Sequence, residues 1–125
     1  MEQHQLTLVA RPGDSLSSGA LRLYALPYGC VDLYAYDPLN RRAAVAIVVA
    51  SAYRRRGYAL AMLQALATLA RSTLHLHQLY ADIAVSNAAS LALFEKAGYS
   101  PCGTFRQWLL VGDSFVSSTR MQLIL

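Results

Sequence analysis

The spacing of apolar positions changes along this chain, and the changes predict its elements. Leu6 to Arg11 reads as a strand, broken by Pro12-Gly13-Asp14-Ser15, and Ser17-Ser18-Gly19 lengthens the loop. Leu21 to Leu26 and Gly29 to Tyr36 read as further strands. Asp37-Pro38-Leu39-Asn40 is a turn, with Pro setting φ and Asp and Asn supplying short side-chain hydrogen bonds. Arg42 to Ala50 follows as a strand, and Val45-Ala46-Ile47-Val48-Val49 is apolar at every position, which predicts burial on both faces. From Gly57 to about Arg71 the period switches. Ala59, Met62, Leu63, Leu66 and Ala70 fall at i, i+3, i+4, i+7 and i+11, one stripe of a helix. Leu79 to Val85 is a strand again. Ser86 or Asn87 can cap a helix over Ala88 to Ala97, closed by Gly98. Phe105 to Val111 and Phe115 to Leu125 form a hairpin around Gly112-Asp113-Ser114.

Strands, helix, strand, helix, strands predict an α/β (α+β) fold: a mixed, twisted central sheet with two main helices packed on it. The length suits one domain over residues 1–125. No repeat or linker divides it. Hydrophobic residues make up 55% and charged residues 14%, which excludes a disordered chain. The charge-free run of residues 43–50 falls far short of the roughly 20 residues that span a bilayer. The opening residues Met1-Glu2-Gln3-His4-Gln5 are polar, so no membrane association and a cytoplasmic location are expected. Cys30 and Cys102 are expected as buried thiols. His75-x-His77 could chelate a metal, but no third ligand cluster accompanies it, and no metal is expected.

Charge sharpens the picture. The net charge is +4, and no Asp or Glu occurs between Asp37 and Asp82. Arg41, Arg42, Arg54, Arg55 and Arg56 lie in that gap. The last three stand where a buried strand ends and a long helix begins. A helix N-terminus exposes unpaired N–H groups and a partial positive charge. This one has no Ser, Thr, Asp or Asn cap and no acid in its length. Arginines beside a bare helix start make an anion site. Gly57 lets phosphate oxygens approach the backbone, and Ala59 is nearly as small. Neither G-x-x-x-x-G-K-[ST] nor G-x-G-x-x-G is present. What remains is Arg54-x-x-Gly57-x-Ala59.

The stretch from Ile47-Val48-Val49 through Ala59 resembles the acetyl-CoA motif of the GNAT superfamily of N-acetyltransferases. Asn87 to Tyr99 resembles its second motif, in the right order. The diamine acetyltransferases and those of ribosomal-protein N-termini are the most similar branch. The resemblance implies the acyl-CoA N-acyltransferase fold, with acetyl-CoA as cosubstrate. Backbone groups of Ile47, Val48 and Val49 would pair with the pantetheine arm. Amides from Arg54, Arg55, Arg56, Gly57, Tyr58 and Ala59 would hold the pyrophosphate. Asn87 would bond pantetheine, although on its own it also reads as a plain helix cap. Phe94 would lie beside the thioester sulfur, and Lys96 near the phosphates. The implied reaction is direct attack of an amine on the thioester. A free amine has a pKa of about 10, so about one molecule in a thousand is neutral at pH 7, and a base or a desolvating pocket must help. A strand amide near Val48 could stabilise the oxyanion. The position that carries a proton-donating tyrosine in many relatives holds Phe94. Tyr34, Tyr36, Tyr80 and Tyr99 are alternative donors, and Asp82 is a weak candidate base.

Relatives carry a first strand and two helices ahead of the matched region, so the chain is expected to be N-terminally shortened. Sheet left uncovered in this way implies a homodimer. The acceptor would be a polyamine, a protein N-terminus or another small amine. An acyl-CoA-binding module without turnover is the second reading. A nucleic-acid-binding protein is a distant third, since the arginines lack interleaved aromatics or a recognition helix.

Overall fold

A computed structural model describes residues 4–125. The elements are β1 Leu21–Ala25, β2 Gly29–Asp37, β3 Arg42–Val49, α1 Tyr58–Ser72, β4 Gln78–Ala84, α2 Ala88–Lys96, β5 Ser100–Val111 and β6 Ser114–Ile124. The strands form one six-stranded sheet in the order β1-β2-β3-β4-β6-β5. Only β3 and β4 run parallel, joined by the α1 crossover; the other pairs are antiparallel. This is the mixed sheet with two main helices that the spacing predicts.

Alternation along the strands places the core. Leu21, Leu23 and Ala25 of β1, Val31 and Leu33 of β2, and Leu79, Ala81 and Ile83 of β4 are buried together on one face. Against them α1 lays Met62, Leu63 and Leu66, all essentially inaccessible. Burial of each such side chain stabilises the fold by roughly 1.5–3 kcal/mol. α2 adds Phe94, which meets Tyr99 edge to face at 4.9 Å. Gly98 ends that helix at φ 98, a left-handed conformation that only glycine adopts at little cost.

Several expectations need correction. Leu6 to Arg11 makes a single bridge, Val9 to Tyr24, instead of a strand. Leu6, Leu8 and Ala10 pack on the core, while the outward Val9 is 57% exposed beside a short edge strand. β3 is buried on both faces only over Ala43, Ala44 and Val45. Its pairing with β4 stops at Ala44–Tyr80, and beyond that point no described residue covers the far face, so Val48 is 55% exposed. β5 begins five residues before Phe105. Pro101 and Gly103 disguise it, but an edge strand tolerates a proline that cannot donate outward. The cysteines are not both buried: Cys30 is half-buried, and Cys102, on the edge strand β5, is exposed.

Candidate active site

The early end of β3–β4 pairing opens a V in the sheet. The three paired positions are Arg42–Gln78, Ala43–Leu79 and Ala44–Tyr80; beyond them β3 stays on β2 while β4 stays on β6. Ladder alternation decides which backbone groups face the gap. The Ala50 N–H donates to the Tyr28 carbonyl at 2.7 Å, so the Val48 groups also point towards β2. Ile47 and Val49 therefore turn their N–H and C=O towards the gap. The Arg54 side chain reaches the Val49 carbonyl there, with Nε donating at 3.3 Å. The expectation that the Val48 amide serves the site is thus corrected to its two neighbours. Gly29 keeps this end of β3 close to β2, because a methyl group there would collide with the Val48 carbonyl.

After β3 the chain makes a tight 3-10 turn, Ser51–Tyr53, and then enters α1. Arg55 sits at φ 63 and Gly57 at φ 83. Left-handed residues of this kind at a helix start aim successive N–H groups into one concavity. Gly57 is the N-cap residue, with no side-chain cap and no acid in the first turn. The first turn of α1 thus lacks the side-chain cap that most helices carry. Tyr58 is stacked between Tyr28, at 4.1 Å, and His4, at 4.0 Å, with Tyr53 edge-on. His4 Nε2–H donates to the Arg56 carbonyl at 2.7 Å. These contacts fix the turn from outside.

The gap, the turn and α2 enclose a cleft of about 700 Å³. Of the residues expected at the cofactor, Ile47, Val49, Arg54, Arg55, Gly57, Tyr58, Ala59, Asn87 and Lys96 line it. Three expected residues do not. The Val48 side chain points to the opposite face; Arg56 turns its carbonyl to His4; Phe94 is buried in the core against Tyr99. Tyr53, Leu60, Ala89, Ser90 and Leu93 line the cleft without having been expected. Ser90 and Leu93 were within reach of sequence reasoning, because steps of three from Asn87 to Lys96 trace one helix face, whereas Phe94 sits about 100° round from Leu93. Asn87 does act as a cap, its Oδ1 accepting from the Ser90 N–H at 3.1 Å. Its carboxamide N–H groups find no partner among the described residues and remain available to the cleft.

Electrostatics follow from how the carboxylates are used. Asp14, Asp32, Asp37 and Asp82 each pair with an arginine away from the cleft: Arg11, Arg22, Arg42 and Arg120. Arg41 and Arg42 lie at the other end of β3, roughly 25 Å away. Among the described residues Arg54, Arg55 and Lys96, which line the cleft, have no carboxylate partner. Asp82, the candidate base, faces the side of the sheet without helices. Arg120 grips both of its oxygens at 2.8 and 2.9 Å, a pairing that holds the guanidinium charged. Tyr34 lies on that same face, its phenol pushed up by burial and by Asp82. The Tyr99 hydroxyl is enclosed in the core, and burial raises its pKa as well. Among the described residues no group of three or more His, Cys, Asp or Glu could hold a metal ion. No helix among them is long and apolar enough to cross a membrane.

A mixed sheet split between parallel strands, with a helix starting at the mouth of the split, defines the acyl-CoA N-acyltransferase class of fold. The chain belongs to the acetyltransferase (GNAT) domain family, whose profile matches residues 16–100. It is similar to the spermidine N(1)-acetyltransferase of Vibrio cholerae, 23% identical over 96 residues, which cover 77% of this chain and 56% of that protein. The chain thus spans little more than half the length of that curated relative. The structure of the Vibrio cholerae spermidine N-acetyltransferase in complex with CoA and spermine superposes with a TM-score of 0.81 at 20% identity, covering 86% of this chain and 67% of that one. A chimera of that enzyme and hSSAT superposes at 0.85 with 19% identity, covering 97% and 96%. At these identities the likeness establishes the fold.

Proposed function

We propose that this chain transfers an acetyl group from acetyl-CoA to a primary amine by direct attack, working in the cytoplasm as a homodimer. The observation that carries the reading is the uncapped, left-handed turn at Arg55 and Gly57 opening into a cleft whose cations have no carboxylate partners among the described residues. A diphosphate supplies the anion that such a turn lacks. Its negative charge complements Arg54, Arg55 and Lys96, and the backbone amides of Gly57 and Ala59 would donate to it. A pantetheine arm carries amide groups that pair with an open strand edge, and Ile47 and Val49 present one. The carboxamide N–H groups of Asn87, without a partner among the described residues, stand across the cleft from that edge.

Acetyl-CoA supplies the activated acyl group. The chain's own contribution is to orient the thioester and to place the Ile47 or Val49 N–H where negative charge develops on the carbonyl oxygen. Asp82 does not suit the role of base, because Arg120 occupies both of its oxygens. Desolvation in the cleft is the better route to a neutral amine. A polyamine is the first acceptor to examine, given the relatives, followed by a protein N-terminus. The second reading, acyl-CoA binding without turnover, is favoured by one feature: Phe94 has no proton for the departing thiolate and is turned into the core.

Thiol release from acetyl-CoA, followed over a panel of spermidine, spermine and N-terminal peptides, separates the two readings. Amine-dependent release with a matching acetylated product is expected. Tight acetyl-CoA binding with no release above the amine-free rate would leave only the binding module.

A further inference from the structure

We propose that His4 is a positioning residue for the cofactor: stacked on Tyr58, it holds the Arg56 carbonyl so that the Gly57 N–H is aimed at the diphosphate. The proposal rests on the acetyl-CoA reading above and names the contact that sets the geometry of the turn.

The turn needs support from outside. Arg55 lies at φ 63, a conformation that a residue with a side chain keeps only where its neighbours hold it. Gly57, at φ 83, has many other conformations open to it. The peptide between Arg56 and Gly57 is therefore free to turn unless a contact fixes it. His4 supplies that contact. Its Nε2–H donates to the Arg56 carbonyl at 2.7 Å, across 52 positions of the chain. That carbonyl and the Gly57 N–H belong to one planar trans peptide unit and point in opposite directions. Holding the carbonyl towards His4 turns the N–H away from it. His4 and Arg56 stand outside the cleft, whereas Gly57 lines it. No described residue accepts from the Gly57 N–H. A hydrogen bond accepted by the carbonyl also polarises the peptide and strengthens its N–H as a donor.

A column of rings decides where His4 sits. The imidazole lies flat on Tyr58, with centroids 4.0 Å and planes 15° apart, and Tyr58 lies on Tyr28 at 4.1 Å and 13°. Tyr53 meets Tyr28 and Tyr58 edge-on. The column touches the whole turn. The Tyr28 carbonyl accepts the Ala50 N–H at 2.7 Å where β3 ends, Tyr53 closes the 3-10 turn, and Tyr58 opens α1. Behind His4, Leu6 and Leu8 pack on the core, so the segment that carries the imidazole is itself anchored.

Calorimetric titration with acetyl-CoA and amide NMR, on the whole chain, test the role in wild type, His4→Phe and His4→Ala. Phenylalanine keeps a ring for the stack and removes the donor; alanine removes both. The wild type is expected to bind, and its Gly57 amide proton to move downfield as it meets the diphosphate. His4→Phe is expected to bind about two- to tenfold more weakly, the range that one hydrogen bond spans, with a smaller Gly57 shift. His4→Ala is expected to bind at least as weakly as His4→Phe. Circular dichroism checks that each variant is folded. A wild type that binds no acetyl-CoA would overturn the cofactor reading and this role together. Binding by the wild type with equal affinity in either variant would overturn the role of His4 alone. A loss of affinity with an undiminished Gly57 shift would also overturn it, because the effect would then bypass that N–H.

Discussion

Tyr99 holds its hydroxyl inside the core with no hydrogen-bond partner among the described residues, and the ring is edge-on to Phe94. An unsatisfied buried hydroxyl costs free energy, while the ring around it contributes burial. Tyr99→Phe is therefore expected to stabilise the fold by about 1 kcal/mol, seen as a higher urea midpoint with an unchanged slope. A loss of stability would mean that the hydroxyl has a partner after all. The same residue shows why a thiolate donor is hard to find from sequence. Tyr99 is rich in proton-donating chemistry on paper, but burial raises its pKa and the core encloses it. Gly57 was legible because its value lies in what it lacks, and a missing cap or side chain is visible in sequence. Phe94 was misplaced because a motif gives the residue type and leaves its rotation about the helix axis to packing.

At the scale of elements, the Asp37–Asn40 turn sets where β3 begins. Asp37 accepts from the Asn40 backbone N–H at 3.0 Å and from its side chain at 2.8 Å, and faces Arg42 at 3.4 Å. The Asn40 side chain, then its backbone N–H, hold the Asp37 carboxyl below its usual range. Its folded pKa is depressed, so its stabilisation is present above the unfolded value of about 3.9 and is lost as pH falls through the lower folded value. Asp37→Asn is accordingly expected to have a lower urea midpoint than wild type at pH 7, with the gap closing as pH drops below about 4. A gap independent of pH would assign the effect to turn geometry instead. This turn and both helices were readable from the sequence, because caps, turn residues and a 3.6 period are local signals. The half-exposed end of β3 was not. Its unbroken apolar run reads as fully buried, and only the departure of β4 on the other side of the gap leaves it open. The strand expected over Leu6 to Arg11 failed for a similar non-local reason, since a strand needs a partner along its length and β1 offers only one bridge.

Across the whole molecule, charge is sorted. Among the described residues four aspartates neutralise arginines on the sheet and its loops, and Arg54, Arg55 and Lys96 around the cleft have no carboxylate partner. The sequence showed the acid-free interval from Asp37 to Asp82, but only the fold separates Arg41 and Arg42 from the cleft and keeps Arg54 and Arg55 in it. The central claim is that the turn at Gly57 cradles a diphosphate. Calorimetric titration with acetyl-CoA of wild type, Gly57→Ala and Gly57→Glu tests it most directly. Alanine shares with glutamate the strain of a left-handed conformation, so the difference between the two isolates the carboxylate. The expected result is clear binding by wild type, with the glutamate variant weaker than the alanine variant by at least about tenfold, or 1.4 kcal/mol. Equal affinity in all three proteins, or no binding by wild type, would contradict the claim.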